Sequence, residues 1–294
     1  MTLLAPASRI AAPRRSLGHV VPTLEQTTRL AALARRFAGL NLKPEKIDFF
    51  TQRLGAEQRR AGFEDFGQYA HWIEHTADAD GRRRFVEALT THTTQFFREP
   101  AHFEWLHRTG WSALTETGAG ITRPLTIWSA AASAGQELYS ALMSVQDWSA
   151  RERRALRISG VGTDISTQIL KTAERGVYDG EAIASMAVDQ RKRHLLRARD
   201  GSDRFRIAPE IRRLSHWQHA NLTDLGSAGP AHCSIIFIRN VLIYFDRDTQ
   251  ARVIQALVNR LEPGGILLTG HSEALSSLPD GLSQVTSATY RKTA

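Results

Sequence analysis

Residues 125–143 read LTIWSAAASAGQELYSALM and predict a strand, a turn of small residues and a helix. The helical part runs on through QELYSALMSVQDW, where Leu138, Leu142 and Val145 recur at helical spacing. Three more apolar runs follow, RISGVGTD, CSIIFIRN and GILLTGHSE, and helical segments separate them. Apolar strands that alternate with helices predict an α/β fold with a parallel sheet covered on both faces.

The sequence before this region predicts helices and no strands. The segment GFEDFGQYAHWIEH places Phe63, Phe66, Tyr69, Trp72 and Ile73 on one helix face, the pattern of a core stripe. We therefore predict a disordered tail over residues 1–20, an α-helical domain over 21–89 and the α/β domain over 90–294. Within the last, residues near 195–215 predict a small antiparallel β insertion, and QVTSATYRK predicts an edge strand.

Composition excludes several classes of protein. The chain has 294 residues, of which 42% are hydrophobic and 23% charged, and no apolar run approaches the roughly 20 residues that span a bilayer. Its single cysteine, Cys233, excludes an intrachain disulfide and a multi-cysteine zinc site. The eleven histidines show no HExxH spacing, so no metal is expected. A reducing, cytoplasmic location and no membrane insertion follow as predictions.

The charge is basic and uneven along the chain. The net charge is +8, and residues 1–84 hold 14 Lys+Arg against 9 Asp+Glu, a net charge of +5. A basic surface predicts acidic partners, and charge alone leaves nucleic acid, anionic lipid and a carboxylate-rich protein as alternatives.

Polar residues follow the predicted strands at the edge where open α/β sheets bind ligands. Glu137 opens the helix after the first strand, Asp164 ends the second, and Arg239-Asn240 follow the third. An acid after the second strand is suited to the two hydroxyls of a ribose. Helix capping is the alternative for Glu137 and Asp164.

The loop AASAGQ carries one glycine, so it matches neither GxGxxG nor GxxxxGK[ST]. A dinucleotide and a P-loop nucleotide are therefore disfavoured. A short glycine-poor loop suits S-adenosylmethionine, which has no pyrophosphate to bind.

Six blocks in order resemble the CheR family, the chemotaxis-receptor glutamate methyltransferases. They are TTHTTQFFREPAHFEWL, WSAAASAGQELYSALM, GTDIST with ILKTAERGVY, Asn221-Leu222, FIRNVLIYFD and LEPGGILLTGHSEAL, and together they cover roughly residues 35–292. The resemblance implies a Rossmann-like S-adenosylmethionine-dependent methyltransferase domain behind an N-terminal helical domain. His92 stands where many members have asparagine, and Leu138 replaces a usual proline.

By resemblance, one set of residues contacts the cofactor: His92, Thr94, Arg98, Glu137, Asp164, Asn221, Leu222, Arg239 and Asn240. Arg98 would orient a substrate carboxylate, and Tyr244 is a second candidate for the methyl-transfer site. Packing alone is the alternative for Tyr244.

The implied reaction converts glutamates on cytoplasmic chemoreceptor helices to methyl esters and yields S-adenosylhomocysteine, with a monomeric enzyme expected. One rival function is a nucleic-acid methyltransferase, but the (N/D)PP(Y/F) tetrad of amino-methylating enzymes is replaced by Arg-Asn-Val-Leu-Ile. The other rival is a non-catalytic signalling module with the same fold.

Overall fold

The computed structural model describes residues 20–275 and 277–293. The predicted disordered tail, residues 1–20, lies outside the described residues except for Val20. Within the described part of the chain, no helix combines the length and hydrophobicity that crossing a bilayer requires.

Four helices form the N-terminal part: α1 (Leu24–Ala38), α2 (Ile47–Arg60), α3 (Phe66–His75) and α4 (Ala79–Leu89). A capping box between Thr23 and Gln26 begins α1, and Gly39 ends it in the left-handed conformation at φ 68°. The predicted aromatic stripe is confirmed as a core face, since its members on α3 are fully buried or packed against the core.

The rest of the chain alternates helices and strands. In order these are α5 (Pro100–Trp105), α6 (Trp111–Glu116), β1 (Leu125–Ser129), α7 (Gln136–Arg151), β2 (Ile158–Asp164), α8 (Thr167–Arg175), β3 (Val177–Asp179), α9 (Val188–His194), β4 (Leu195–Arg197), β5 (Arg204–Ile207), α10 (Pro209–Arg212), β6 (Ser215–His219), β7 (Cys233–Ile238), α11 (Arg247–Val258), β8 (Leu261–Thr269), β9 (Leu282–Thr286) and β10 (Thr289–Lys292).

The main sheet has the strand order β6-β2-β1-β7-β8-β10-β9. The first five strands are parallel, and β10 pairs antiparallel with β8 and β9. Every residue of β7 is buried, as expected for a central strand covered on both faces. The carboxyl ends of β1, β2 and β7 therefore meet at one edge, where their polar residues follow.

Two details differ from the sequence-based expectation. The C-terminal segment predicted as one edge strand is the β9–β10 hairpin, and only β9 lies at the edge. The small antiparallel sheet has the order β3-β5-β4, so it draws its first strand from residues 177–179. The segment 215–219 instead joins the main sheet as β6, because it pairs in parallel with β2.

The four N-terminal helices α1 to α4, called the helical domain below, share a continuous hydrophobic core with one face of the sheet. Polar contacts join the same surfaces: the Asn41 amide donates to the Tyr244 carbonyl at 2.7 Å, and Arg35 pairs with Asp246. On α4, Glu87 accepts a hydrogen bond from the Thr167 amide at 2.7 Å. The helical domain is thereby held over the edge of the sheet where the strands end.

Candidate functional site

A cavity with about 970 Å³ of empty space lies between the helical domain and the carboxyl ends of the parallel strands. All ten predicted site residues line it: His92, Thr94, Arg98, Glu137, Asp164, Asn221, Leu222, Arg239, Asn240 and Tyr244. The helical domain adds Ala38, Leu40 and Leu89 to the wall, a contribution that strand-end reasoning did not include.

Asp164 ends β2 with both carboxylate oxygens oriented by backbone amides. One oxygen accepts from the Ser133 amide at 2.9 Å and the other from the Ser166 amide at 3.0 Å. Burial raises the pKa of the Asp164 carboxyl, and these amide bonds oppose the shift. Helix capping falls instead to Ser166, whose hydroxyl accepts from the Ile169 amide. The Asp164 carboxylate therefore lies at the cavity wall in an orientation that two backbone amides fix.

Ser133 shapes the turn after β1, and sequence reasoning missed it. It has a left-handed backbone, φ 50°, and its hydroxyl donates to the His92 carbonyl at 2.9 Å. The turn is thus joined to the 90–98 segment. Gly135 of the same turn is required by packing, since a Cβ there would lie 2.9 Å from Ala173 and Trp217.

Glu137 lies in the first turn of α7 but does not cap it. Its carboxylate accepts from the Ser129 hydroxyl at 2.7 Å and faces the Arg239 guanidinium at 3.3 Å. Burial raises the pKa of Glu137, against the attraction of Arg239 and the Ser129 hydrogen bond.

Arg239 is the buried cation of the site, with 1% of its side chain exposed. It pairs with Glu137 at 3.3 Å and with Glu99 at 3.2 Å, and it donates to the Arg98 carbonyl. Glu99 was not predicted as a site residue, although it lies within the FFREP run. Arg239 therefore holds the Arg98 backbone as well as the Glu137 carboxylate.

Arg98 lies between two left-handed residues, Phe97 at φ 51° and Glu99 at φ 56°. Its guanidinium donates to the Thr93 carbonyl at 3.3 Å and forms no ion pair with a carboxylate of the described residues. The backbone around it is fixed, because the Phe97 amide donates to the Ser140 hydroxyl at 2.9 Å. Arg98 thus presents a cation on a constrained turn.

Glu273, in the turn after β8, fixes the loop that follows β7. Its carboxylate accepts from the backbone amides of Asn240 at 2.5 Å, Gly270 at 3.0 Å and Ile243 at 3.2 Å. Asn240 itself has a left-handed backbone, φ 60°, a conformation that asparagine tolerates better than most residues. Glu273 was not predicted as a site residue, although the polar triplet His-Ser-Glu that follows the apolar run of β8 could have indicated it.

The remaining predicted residues differ in the hydrogen bonds that their side chains make within the protein. The Asn221 amide group donates to the Phe37 carbonyl at 2.8 Å, and its oxygen accepts from the Thr223 amide and hydroxyl. Its side chain thus joins the helical domain to the cavity wall. His92 is within hydrogen-bond distance of the Thr90 hydroxyl, at 2.9 Å. Thr94, Leu222 and Tyr244 line the cavity.

Residues 92–291 match the family model described as "CheR methyltransferase, SAM binding domain". The chain belongs to the CheR methyltransferase family. Its α/β fold is therefore that of an S-adenosylmethionine-dependent methyltransferase, with the parallel sheet, N-terminal helices and small antiparallel sheet described above.

Named relatives in this family are chemotaxis protein methyltransferases. The Klebsiella aerogenes protein of that name is 34% identical over 85% of this chain and 83% of its own length. Chemotaxis protein methyltransferase 2 of Pseudomonas aeruginosa is 35% identical over 81% of this chain and 82% of its own length. The Borreliella burgdorferi chemotaxis protein methyltransferase is 27% identical over 92% of this chain and 95% of its own length. These relatives support S-adenosylmethionine-dependent methylation in chemotaxis.

Proposed function

We propose that the chain methylates glutamate side chains on the cytoplasmic helices of chemoreceptors, with S-adenosylmethionine as methyl donor. The observation that carries the proposal is the joint placement of two carboxylates, buried Asp164 and largely buried Glu137, with the guanidinium of Arg98, which forms no ion pair within the described residues, in one cavity. The carboxylates suit a cationic nucleoside cofactor, and the guanidinium suits an anionic substrate.

The residues of the cavity fit S-adenosylmethionine. Asp164, with its oxygens held by amides, would accept from the two ribose hydroxyls. Glu137 would face the ammonium group of the methionine part, which stabilises the ionised carboxylate that burial disfavours. Leu222 and Phe245 supply apolar wall. When bound, the cofactor supplies an electrophilic methyl group on a sulfonium.

Arg98 and Tyr244 would orient the substrate. A glutamate has an ordinary pKa near 4.3, so the nucleophile is already ionised at neutral pH and needs no base. What the protein must contribute is alignment, which is worth roughly 7–11 kcal/mol in well-oriented reactions. The Arg98 guanidinium can hold a carboxylate through two donors, but holding it too tightly in the ground state would slow transfer. Its role is therefore orientation.

The charge of the helical domain supports an acidic partner. Arg53 on α2 is exposed and donates to the Thr90 carbonyl and the Thr91 hydroxyl, so a cation adjoins the 90–94 wall of the cavity. Arg59 on the same helix is also exposed. Exposed cations would steer a carboxylate-rich receptor helix. We expect the methylation rate to fall with ionic strength, and a flat response between low and physiological salt contradicts this docking mode.

The test is transfer of labelled methyl groups into a receptor cytoplasmic fragment, with RNA and DNA as parallel substrates. We expect base-labile label in the receptor and a large loss of rate in Arg98→Ala, with cofactor binding measured separately by calorimetry. Arg108→Ala is the matched control, because Arg108 is exposed and does not line the cavity. Label in nucleic acid supports the rival methyltransferase, and cofactor binding without transfer to any substrate supports a non-catalytic module.

A further inference from the structure

Three side chains of the types that ligate metals form a cluster beside Arg239, which lines the cavity. Glu99 and His102 are three residues apart at the start of α5, and His271 opens the turn after β8. Their ligand atoms all lie within 4.8 Å of one another. Glu99 and His271 are 172 residues apart in sequence, so the spacing rules that excluded a metal could not detect this set.

His102 is the unusual member of the cluster. It is 2% exposed, and neither of its ring nitrogens has a hydrogen-bond partner. The nearer Glu99 oxygen lies 3.5 Å from Nδ1, and the His271 ring lies 4.8 Å away between centroids. A buried imidazole without partners is unfavourable, because its ring nitrogens have lost their hydrogen bonds to water and gained none in the protein. A ligand on one ring nitrogen would satisfy it.

The charge around Glu99 leaves room for a second cation. Arg239 lies between two carboxylates, Glu99 at 3.2 Å and Glu137 at 3.3 Å, so one positive charge is shared by two negative ones. The other Glu99 oxygen, Oε1, has only a long contact of 3.5 Å with the Asn240 amide. The oxygen that faces the histidines is Oε2, which lies 3.5 Å from His102 Nδ1 and accepts from the His271 amide at 3.3 Å, so a bound cation would share Glu99 with Arg239.

We propose that Glu99, His102 and His271 bind one divalent transition-metal ion of the zinc type. Two imidazoles and one carboxylate form a donor set that suits Zn²⁺, Co²⁺ or Ni²⁺, whereas Mg²⁺ and Ca²⁺ prefer oxygen ligands. Ligands of a tetrahedral ion with bonds of 2.0–2.1 Å lie roughly 3.4 Å apart, so small side-chain rotations complete the site. The exposed His271 gives the ion access, and water fills the open position.

The test uses the full chain, stripped with a chelator and titrated with ZnCl₂ by calorimetry, with Co²⁺ as a spectroscopic probe. We expect one Zn²⁺ per chain and a ligand-field spectrum of nitrogen and oxygen ligation with Co²⁺. His271→Ala should weaken Zn²⁺ binding at least tenfold. Because His271 is exposed, this variant should fold, and circular dichroism checks that it does. Glu99→Gln is a second variant with the same expected loss.

The matched control is His232→Ala, which removes another exposed histidine outside the cluster. With eleven histidines in the chain, weak binding at the surface is the competing outcome. Unchanged affinity in His271→Ala, an equal loss in His232→Ala, or no stoichiometric binding by the parent chain each overturns the proposal.

Discussion

Replacing Glu273 should destabilise the loop that carries Asn240 and Tyr244. In Glu273→Ala, the backbone amides of Asn240, Gly270 and Ile243 lose their common acceptor. At about 1 kcal/mol for each donor, the free energy of unfolding should fall by about 3 kcal/mol.

The conservative variant Glu273→Gln sharpens this expectation. The Asn240 and Gly270 amides share Oε2, and the Ile243 amide uses Oε1 alone. A glutamine oxygen in the Oε2 position keeps two bonds and places its amide group against the Ile243 N–H. We therefore expect a loss of about 1–2 kcal/mol, smaller than that of the alanine variant. Cofactor affinity should fall in the same order, because Asn240 lines the cavity.

The assay is urea unfolding followed by tryptophan fluorescence, with calorimetry for S-adenosylmethionine binding. Ser272→Ala is the control, since Ser272 is the exposed neighbour in the same turn. An unfolding free energy for Glu273→Ala within about 0.5 kcal/mol of the parent would refute the reasoning. Equal losses of stability in the alanine and glutamine variants would contradict the assignment of two hydrogen bonds to Oε2 and one to Oε1.

Three further predictions concern other parts of the molecule. Gly39→Ala should lower the stability more than Gly62→Ala. Both residues have positive φ, but a Cβ at Gly39 would lie 2.5 Å from the Thr223 side chain, whereas a Cβ at Gly62 would meet nothing within 4 Å. Thermal denaturation of the two variants measures the difference. Cys233 should resist alkylation by iodoacetamide at pH 8 in the folded chain and react once the chain is unfolded. The reason is that the thiol is buried and burial raises its pKa. Mass spectrometry of the alkylated chain measures the extent of reaction. Burial raises the folded-state pKa of Glu137, so its contribution to stability is fully present below the ordinary glutamate pKa and is lost as pH rises through the folded-state pKa. Denaturation measured from the ordinary glutamate pKa up to neutral pH should therefore give a flatter stability profile for Glu137→Gln than for the parent. Parallel profiles would contradict this assignment.

The sequence determined the fold class because its local patterns agree with the tertiary arrangement. The apolar run of β7 has the composition of a strand buried on both faces, and it is buried along its whole length. Gly176, a glycine directly after the helical run of α8, ends that helix in the left-handed conformation at φ 60°. Strand–helix alternation also places the polar strand ends at one edge, so the sequence alone predicts that Glu137, Asp164 and Arg239 lie close together.

The tertiary structure decided which side chains hold the site together. Glu99, Ser133 and Glu273 act through partners distant in sequence, and no local pattern encodes such partners. Strand pairing was likewise decided by the tertiary structure: the predicted insertion ended near residue 215, where the segment 215–219 begins that completes the main sheet against β2. The sequence alone thus determined most of the elements and the edge of the sheet where the polar strand ends meet, because these depend on local periodicity. The buried charge network and the His102 cluster depend on long-range contacts, which only the folded chain brings together.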